Sequence, residues 1–349
     1  MRVLVVCGGE SSEHSVSLSS TRAVLDAIDP SHEVILVGIT KEGKHILLPA
    51  VGEWELTESP ELEDNDLEIL WPLGGGDLAY FEYRELIPIG EIDVCLPLLH
   101  GDNGEDGSIQ GLLQLSHIPY VGNGIAASAI AMDKKLTKDV LRQAGISVCD
   151  EVVVKHNQFL DNPEATTEEI VRNIEFPVVV KPAKSGSSVG VTVAEDQSSL
   201  VHGLIEAFKQ DTKVLIEPRL VGRELEIAVL ENLAGEPETS IAGEIVLGGG
   251  GIYDYNAKYL SDAATLKVPA DLSEAELNQM KGIAAKAFSA LGCEGLARVD
   301  FFLTEQGWFL SEVNTMPGFT PISMYPKLWK ESGLEYPELI ARLIELAIR

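Results

Sequence analysis

Short apolar runs alternate with amphipathic stretches through the first 120 residues, and this pattern predicts strands and helices in turn. The predicted strands are Val3–Cys7, Glu33–Ile39, Asp93–Leu99 and Ile118–Val121. The predicted helices are Ser19–Ile28 and Gly107–Ser116. Strand–helix alternation of this kind is typical of a doubly wound α/β domain with a parallel sheet. In such sheets, ligands bind beyond the carboxyl ends of the strands.

The pattern changes near residue 124. The next elements are a long helix, a strand, a Gly/Ser-rich loop, a second strand and a helix, namely Ile125–Ala144, Phe176–Lys181, 181–190, Val191–Val193 and Gln197–Phe208. A strand-rich section follows, with strands Val214–Glu217, Glu224–Leu230 and Ile241–Val246, a hairpin, and helices at 273–291 and 336–349. We therefore predict an N-terminal α/β domain (1–123) and two α+β domains (124–213 and 214–349).

The predicted hairpin carries Arg298, Asp300, Glu312 and Asn314 among apolar neighbours. Residues i and i+2 of a strand share a face, so these polar side chains form two aligned pairs. A solvated strand face is the alternative, but the surrounding aromatic residues favour burial, where such groups need partners. Two carboxylates and an amide are oxygen ligands that suit Mg²⁺, which also binds substrate phosphates.

Composition narrows the possible functions. The 349 residues are 45% hydrophobic and carry a net charge of −29, from 55 acidic and 26 basic residues. Such a chain does not bind nucleic acid or an anionic membrane through a general basic surface. The four cysteines show no metal-binding or redox spacing and are predicted to be buried and reduced, at positions Cys7, Cys95, Cys149 and Cys293. The first strand starts at once and no apolar segment is long enough to span a bilayer, so we expect a soluble, cytoplasmic protein.

A Gly/Ser-rich loop, Lys181-Pro-Ala-Lys-Ser-Gly-Ser-Ser-Val-Gly190, follows an apolar strand. Its small residues let backbone N–H groups approach an anion, and we interpret it as a phosphate-covering loop. Two other stretches only imitate nucleotide motifs. Gly38–Lys44 is followed by His45 where a Walker A motif needs Ser or Thr, and is predicted to be a turn. Gly122–Ala127 is predicted to be a tight turn before a helix.

Weaker signals come from isolated polar residues. Glu217 and Glu224 end or begin strands, where they could bind adenine and ribose or simply lie on the surface. Three tyrosines and Lys258 follow the glycine run 248–251, which predicts either a mobile lid or an ordinary aromatic loop. His14 and His100 both follow strands of the first domain and are candidate substrate contacts.

In this order, the motifs resemble those of the D-alanine–D-alanine ligases of the ATP-grasp superfamily. The matching segments cover nearly the whole chain and are Gly8-Gly9-x-Ser-x-Glu13-His14-x-Val-Ser17, Leu-His100-Gly-x-x-Gly-Glu-Asp-Gly107, Met-Asp-Lys134, Lys181 through Gly190, Tyr-Asp-Tyr-x-Ala-Lys258-Tyr259, Arg298-x-Asp300 and Glu312-x-Asn314-Thr-x-Pro-Gly318. The resemblance implies a three-domain ATP-grasp ligase whose two α+β domains clasp ATP.

The resemblance also implies roles for individual residues. Glu13 would hold the ammonium of the first D-alanine in a hydrogen-bonded trio with Ser187 and Tyr259, while His100 would lie nearby and Ser323 would bind the second carboxylate. The ATP-binding residues would be Lys134, Lys181, Glu217, Leu220, Glu224 and Lys258. Two Mg²⁺ or Mn²⁺ ions would be ligated by Asp300, Glu312 and Asn314. The oxyanion would be stabilised by Arg298 and the amide of Gly318.

The predicted function is therefore ATP-dependent joining of two D-alanines through an acyl phosphate, for peptidoglycan precursor synthesis. The expected partners are these small molecules and a second copy of the chain in a homodimer, without nucleic acid or membrane. One alternative is an ATP-grasp ligase that uses D-lactate, D-serine or another amino acid; Tyr259 after Lys258 favours D-alanine. The other is a protein that binds nucleotide without turnover.

Overall fold

The computed structural model describes residues 1–49, 62, 67–247 and 264–349. The glycine run 248–251 and the tyrosine-rich segment that follows it, including Lys258 and Tyr259, lie outside the described residues. The predictions made for them are therefore not tested by the structure.

The first section contains an α/β sheet and a small separate sheet. Its elements are β1 (Arg2–Gly8), α1 (His14–Leu25), β2 (Glu33–Ile39), β3 (His45–Leu47), β4 (Ile69–Leu70), β5 (Leu78–Glu82), β6 (Glu85–Gly90), β7 (Val94–Pro97) and α2 (Ser108–Leu115). The main sheet has the order β3-β2-β1-β7, in which β2, β1 and β7 are parallel and β3 is an antiparallel edge strand. The predicted turn at Gly38–Lys44 is confirmed, because it joins β2 to β3 in a hairpin.

The prediction of a strand over Ile118–Val121 is wrong. The segment forms only an isolated parallel bridge between Tyr120 and Cys95. Two hydrogen bonds flank the bridge, from the Cys95 N–H to the Pro119 carbonyl at 2.8 Å and from the Val121 N–H to the Cys95 carbonyl at 2.9 Å. Pro119 has no N–H to donate, so the ladder cannot continue.

The central section has two layers, a four-stranded antiparallel sheet and helices. Its elements are α3 (Ile125–Met132), α4 (Lys134–Gln143), β8 (Val152–Lys155), α5 (His156–Asp161), α6 (Pro163–Asn173), β9 (Val178–Pro182), β10 (Thr192–Ala194), α7 (Gln197–Ala207) and β11 (Lys213–Pro218). The strand order is β10-β9-β11-β8. Thus β11, which we had grouped with the strand-rich section, is hydrogen-bonded into the central sheet.

The single helix predicted over Ile125–Ala144 is two helices, so this prediction is wrong. Asp133 has an extended conformation (φ −92°, ψ 102°), and its side chain accepts from the N–H groups of Lys135 and Leu136. Asp is a favoured N-cap residue, and this capping begins a new helix. The N–H of Lys134 instead donates to the carbonyl of Ala183 at 3.0 Å. The break thereby ties the start of α4 to the loop that follows β9.

The last section is built on a five-stranded antiparallel sheet of order β14-β13-β12-β15-β16. Its elements are β12 (Arg223–Glu231), β13 (Pro237–Leu247), β14 (Ala264–Lys267), α8 (Glu274–Ala290), β15 (Leu296–Thr304), β16 (Gly307–Asn314), α9 (Met324–Glu331) and α10 (Tyr336–Ala347). The predicted hairpin is confirmed: Arg298 lies opposite Asn314, and Asp300 lies opposite Glu312. This register places all four polar side chains at one end of the hairpin.

The hydrophobic core connects the first and last sections. Leu339, Ile340 and Leu343 of α10 belong to the same buried cluster as Val94 and Leu96 of β7. All four cysteines are buried and free, as the sequence predicts. Among the described helices, none combines the length and apolar character needed to cross a bilayer.

Candidate active site

One large cleft of about 1340 Å³ is lined by residues from all three sections. Every residue to which the family resemblance gives a role, and which the structure describes, lies on its wall: Glu13, His100, Lys134, Lys181, Ser187, Glu217, Leu220, Glu224, Arg298, Asp300, Glu312, Asn314, Gly318 and Ser323. The structure thus brings together side chains separated by up to 310 positions, from Glu13 to Ser323. Their individual roles remain predictions.

Glu13 connects the first section to the Gly/Ser-rich loop. It immediately precedes α1, and its carboxylate accepts a hydrogen bond from the Ser187 hydroxyl. Gly101 and Gly186 approach the carboxylate so closely that a Cβ on either would lie 3.0 or 2.8 Å from Glu13 Oε2. Ser187 has a φ of 50°, in the left-handed region that is uncommon for residues other than glycine. The hydrogen bond to Glu13 is therefore part of what holds this loop conformation in place.

His100 lies at the carboxyl end of the first sheet and is buried. Its Nε2 is 3.2 Å from the Ser20 hydroxyl, and its Nδ1 is 3.1 Å from the Met316 carbonyl. Burial lowers the pKa of this histidine, against the opposing effect of Glu13. His14 does not line the cleft: its Nδ1 is 2.7 Å from the Gly9 carbonyl, and it packs as a structural residue.

Glu105 is a cleft residue that the sequence analysis did not select. Its Oε1 accepts from the Gly101 N–H at 3.0 Å and lies 3.9 Å from His100 Nδ1. Burial, reinforced by the neighbouring Glu13, raises the pKa of Glu105 to about 8. Glu105 belongs to the same motif as His100, so position within the motif was the available signal.

Arg298 lies at the centre of the hairpin end. Its Nε and Nη2 donate to the two carboxylate oxygens of Asp300, both at 2.8 Å, and Nε lies 3.0 Å from Glu226 Oε2. Asn314 adds a hydrogen bond from Nδ2 to Asp300 Oδ2 at 2.9 Å. Burial disfavours the charge of Arg298, but Asp300 and Glu226 outweigh burial and raise its pKa well above the usual value. The guanidinium is therefore a fixed cation on the cleft wall.

Glu312 faces the Gly/Ser-rich loop through Lys134. The Lys134 ammonium lies 3.2 Å from Glu312 Oε1 and donates to the Ser185 carbonyl at 2.8 Å. Within the described residues, no group of three or more His, Cys, Asp or Glu side chains forms a metal cluster. A Mg²⁺ ion needs only one or two carboxylates when phosphates supply the remaining ligands. The adjacent Asp300 and Glu312, with the Asn314 amide, fit that requirement chemically.

At the other end of the cleft, Glu217 lies between two lysines. Its carboxylate pairs with Lys181 at 2.7 Å and accepts a hydrogen bond from Lys138. Burial opposes the charge of Glu217, but Lys181 and Lys138 outweigh burial and lower its pKa. Lys138 is a second residue that sequence reasoning missed. Its position one turn after Lys134 on α4 was the only signal.

The segment between β16 and α9 closes the remaining side of the cleft. A Cβ on Gly318 would lie 3.1 Å from the Ser323 hydroxyl oxygen, which also accepts from the Thr320 N–H at 3.2 Å. Ser323 immediately precedes α9. The N-terminus of a helix carries partial positive charge, which suits a carboxylate ligand next to Ser323.

Comparison with known proteins places this architecture in a family. The family model described as D-ala D-ala ligase N-terminus matches residues 2–123, and the one described as D-ala D-ala ligase C-terminus matches residues 140–345. The chain is 44% identical to a D-alanine–D-alanine ligase from Acetivibrio thermocellus over 100% of the chain and 96% of the relative. It is 45% identical to one from Pseudarthrobacter chlorophenolicus, covering 99% of the chain and 94% of the relative.

Solved structures agree. The D-alanine–D-alanine ligase from Coxiella burnetii superposes with a TM-score of 0.85 at 34% identity, covering 100% of this chain and 94% of that one. A D-Ala:D-Ser ligase from Enterococcus faecalis superposes with a TM-score of 0.84 at 33% identity, covering 99% of each chain. The predicted resemblance and fold class are confirmed, and the chain belongs to the D-alanine–D-alanine ligase family.

Proposed function

We propose that this protein joins two D-alanines into D-alanyl-D-alanine at the expense of ATP, for peptidoglycan precursor synthesis. One observation carries the proposal: a single cleft holds Lys134, Lys138 and Lys181 together with the Glu13–Ser187 pair and Arg298. The lysines suit nucleotide phosphates, and the carboxylate of Glu13 suits an ammonium group. The family's established D-alanine ligases support the same conclusion.

The reaction must first make a carboxylate reactive. We propose that a carboxylate oxygen of the first D-alanine attacks the γ-phosphorus of ATP, giving an acyl phosphate and ADP. Phosphoryl transfer depends on positioning and charge stabilisation, which Lys134 and Lys181 would supply to the phosphates. Glu13 would orient the first amino acid by its ammonium. The Gly/Ser-rich loop, fixed by Ser187, would exclude water from the acyl phosphate.

The amine of the second D-alanine would then attack the acyl carbon and displace phosphate. The negative charge that develops on the carbonyl oxygen would be stabilised by Arg298 and the N–H of Gly318. Ser323 and the adjacent start of α9 would bind the carboxylate of the second D-alanine. Phosphate leaves, the ammonium loses a proton, and the amide bond remains.

Magnesium or manganese would be held by Asp300, Glu312 and Asn314. When bound, the ions would neutralise charge on the phosphate oxygens of ATP. In the structure Asp300 is paired with Arg298, and Glu312 is paired with Lys134. The cationic partner of Asp300 offsets the cost of burying its carboxylate.

Glu312→Gln tests the proposed ligand set. The variant should lose turnover, because an amide is a weaker ligand than a carboxylate, while its melting temperature stays close to that of wild type. Glu305→Gln, at the exposed turn of the same hairpin, is the matched control and should remain active. Normal turnover by the Glu312 variant would contradict the metal assignment.

The second substrate is tested by a phosphate-release screen. D-Alanine, D-serine, D-lactate and L-amino acids should each be supplied with ATP and Mg²⁺, and the products identified by mass spectrometry. We expect release with D-alanine alone and formation of the D-alanine dipeptide. A preference for D-serine, as the name of the Enterococcus faecalis relative states for that protein, would favour the related-ligase alternative. Nucleotide binding without phosphate release under every condition would favour the non-enzymatic alternative.

Other features of this enzyme follow as proposals. We propose three domains, 1–123, 124–213 and 214–349, except that β11 at the last boundary pairs into the sheet of the central domain. We also propose roles for Lys258 and Tyr259 in the lid, a homodimer, and a cytoplasmic location. The nucleotide and peptidoglycan precursors used in this reaction are cytoplasmic metabolites, which supports the location. Light scattering of the purified protein tests the homodimer directly.

A further inference from the structure

Lys138 lies beneath the nucleotide end of the cleft, with only 3% of its side chain exposed. Its ammonium donates to the Cys149 carbonyl at 2.9 Å and to the Glu217 carboxylate, and it lies 3.5 Å from Glu151 Oε2. Two hydrogen bonds and one longer ionic contact thus hold the ammonium. A lysine buried so completely and held by three partners is fixed in place.

Glu217 depends on this lysine for half of its ionic contacts. Lys181 contacts one carboxylate oxygen and Lys138 contacts the other. Of these two lysines, Lys181 also lies near the phosphate-covering loop and would be drawn toward phosphate when ATP binds. Lys138, held by the Cys149 carbonyl and Glu151, would stay with Glu217.

We propose that Lys138 is a positioning residue that keeps Glu217 a fixed hydrogen-bond acceptor for the nucleotide base, and so determines the preference for adenine over guanine. The inference rests on the proposed function, together with the adenine contact that the family resemblance implies for Glu217. The amino group of adenine donates to a carboxylate. The carbonyl oxygen at the same place on guanine is an acceptor and would be repelled by it.

The protonation of Glu217 decides this selection. An ionised carboxylate only accepts, whereas a protonated one can also donate to guanine. The groups that face Glu217 are Lys138 on α4, Lys181 on β9 and the Cys149 thiol before β8, with Glu151 acting through Lys138. Burial disfavours the ionised form, and the two lysines counter it. Without Lys138, the effect of burial would be countered by Lys181 alone, so the pKa of Glu217 would rise and the carboxylate would take up a proton at higher pH.

The test is direct binding of ATP and GTP, measured by calorimetry without amino acid. Wild type, Lys138→Met, Glu217→Gln and the double variant are compared from about pH 6 to about pH 9, where an affected carboxyl would titrate. In wild type, the ratio of the dissociation constant of GTP to that of ATP should be constant over this range. In Lys138→Met it should fall about tenfold or more, the value of one hydrogen bond to a charged group, and fall further at low pH.

The double variant separates positioning from a general structural effect. If Lys138 acts through Glu217, removing Lys138 should change base selectivity little once Glu217 is already Gln, giving strong non-additivity. Additive effects would overturn the proposal. Lys209→Met removes an exposed lysine from the same section and should leave selectivity unchanged. Circular dichroism checks the fold of each variant.

Wild type alone also tests the idea, which matters if Lys138→Met does not fold. A wild-type selectivity ratio that falls in mild acid would show that Glu217 is not held as an acceptor, and would contradict the proposal. Because only binding is measured, selective ATP binding with the predicted non-additivity supports the role of Lys138 even if no dipeptide forms. Absence of the dipeptide would contradict the proposed function but not the role of Lys138.

Discussion

Replacing Glu105 by Gln should stabilise the protein at alkaline pH and leave its stability in acid unchanged. The substitution removes one largely buried carboxyl group beside Glu13 and His100. It keeps Oε1, which can still accept from the Gly101 N–H as it does in the native protein at 3.0 Å. The variant therefore tests the charge with little change in shape.

The size and sign of the effect follow from the pKa of Glu105. Burial raises it from 4.5 to about 8. Each pKa unit corresponds to about 1.4 kcal/mol, so the variant's gain in free energy of unfolding has an upper value of about 5 kcal/mol. Because the protein relaxes around the charge, we expect a gain of about 2–5 kcal/mol. Below the unfolded value, both states are protonated. Between 4.5 and about 8, the unfolded chain releases the proton first, so wild-type stability falls as pH rises.

Urea unfolding at a series of pH values, followed by circular dichroism, measures this difference. The free energy of unfolding of Glu105→Gln should match that of wild type near pH ~4 and exceed it increasingly up to about pH 8. Glu85→Gln removes the same charge from an exposed strand position and should differ from wild type by a constant amount. A constant difference for Glu105→Gln as well would refute the reasoning.

Three further substitutions test other contacts. Ser187→Ala removes the hydrogen bond to Glu13 and should raise the KM for D-alanine about tenfold, measured by phosphate release. Arg298→Lys loses the paired hydrogen bonds to Asp300 and should lower kcat about 100-fold with little change in the Kd of ATP, measured by steady-state kinetics and calorimetry. Phe301→Ala empties a fully buried position 5.7 Å from the Trp308 ring and should cost about 3–5 kcal/mol in urea unfolding. Unchanged values in any of these assays would contradict the corresponding contact.

The hairpin and the Gly/Ser-rich loop could be predicted from the local pattern of apolar and polar residues. The hairpin of β15 and β16 was predictable, because its polar residues alternate within long apolar strands and a polar turn separates them. The Gly/Ser-rich loop was also predictable, because its small residues follow directly after a strongly apolar strand. The break at Asp133 was missed because α3 and α4 together read as one helical stretch, although Asp is a favoured cap.

Tertiary contacts explain what the sequence did not reveal. Glu105 and Lys138 are ordinary charged residues on a loop and a helix, and only their packing against residues that are distant in the sequence shields their charges from water. The membership of β11 in the central sheet likewise depends on pairing with β8 and β9, which local patterns do not encode. The motifs located the cleft, whereas the charge balance within it required the structure.

Following oxygen atoms through the reaction tests the central claim most directly. The protein would be incubated with Mg²⁺, ATP and D-alanine labelled with ¹⁸O in its carboxylate, and the products analysed by mass spectrometry. Formation of an acyl phosphate predicts equal amounts of D-alanyl-D-alanine and phosphate, with ¹⁸O from the carboxylate present in the phosphate. Dipeptide formed with unlabelled phosphate would contradict the acyl phosphate, and no dipeptide at all would contradict the assignment of this cleft as a D-alanine ligase site.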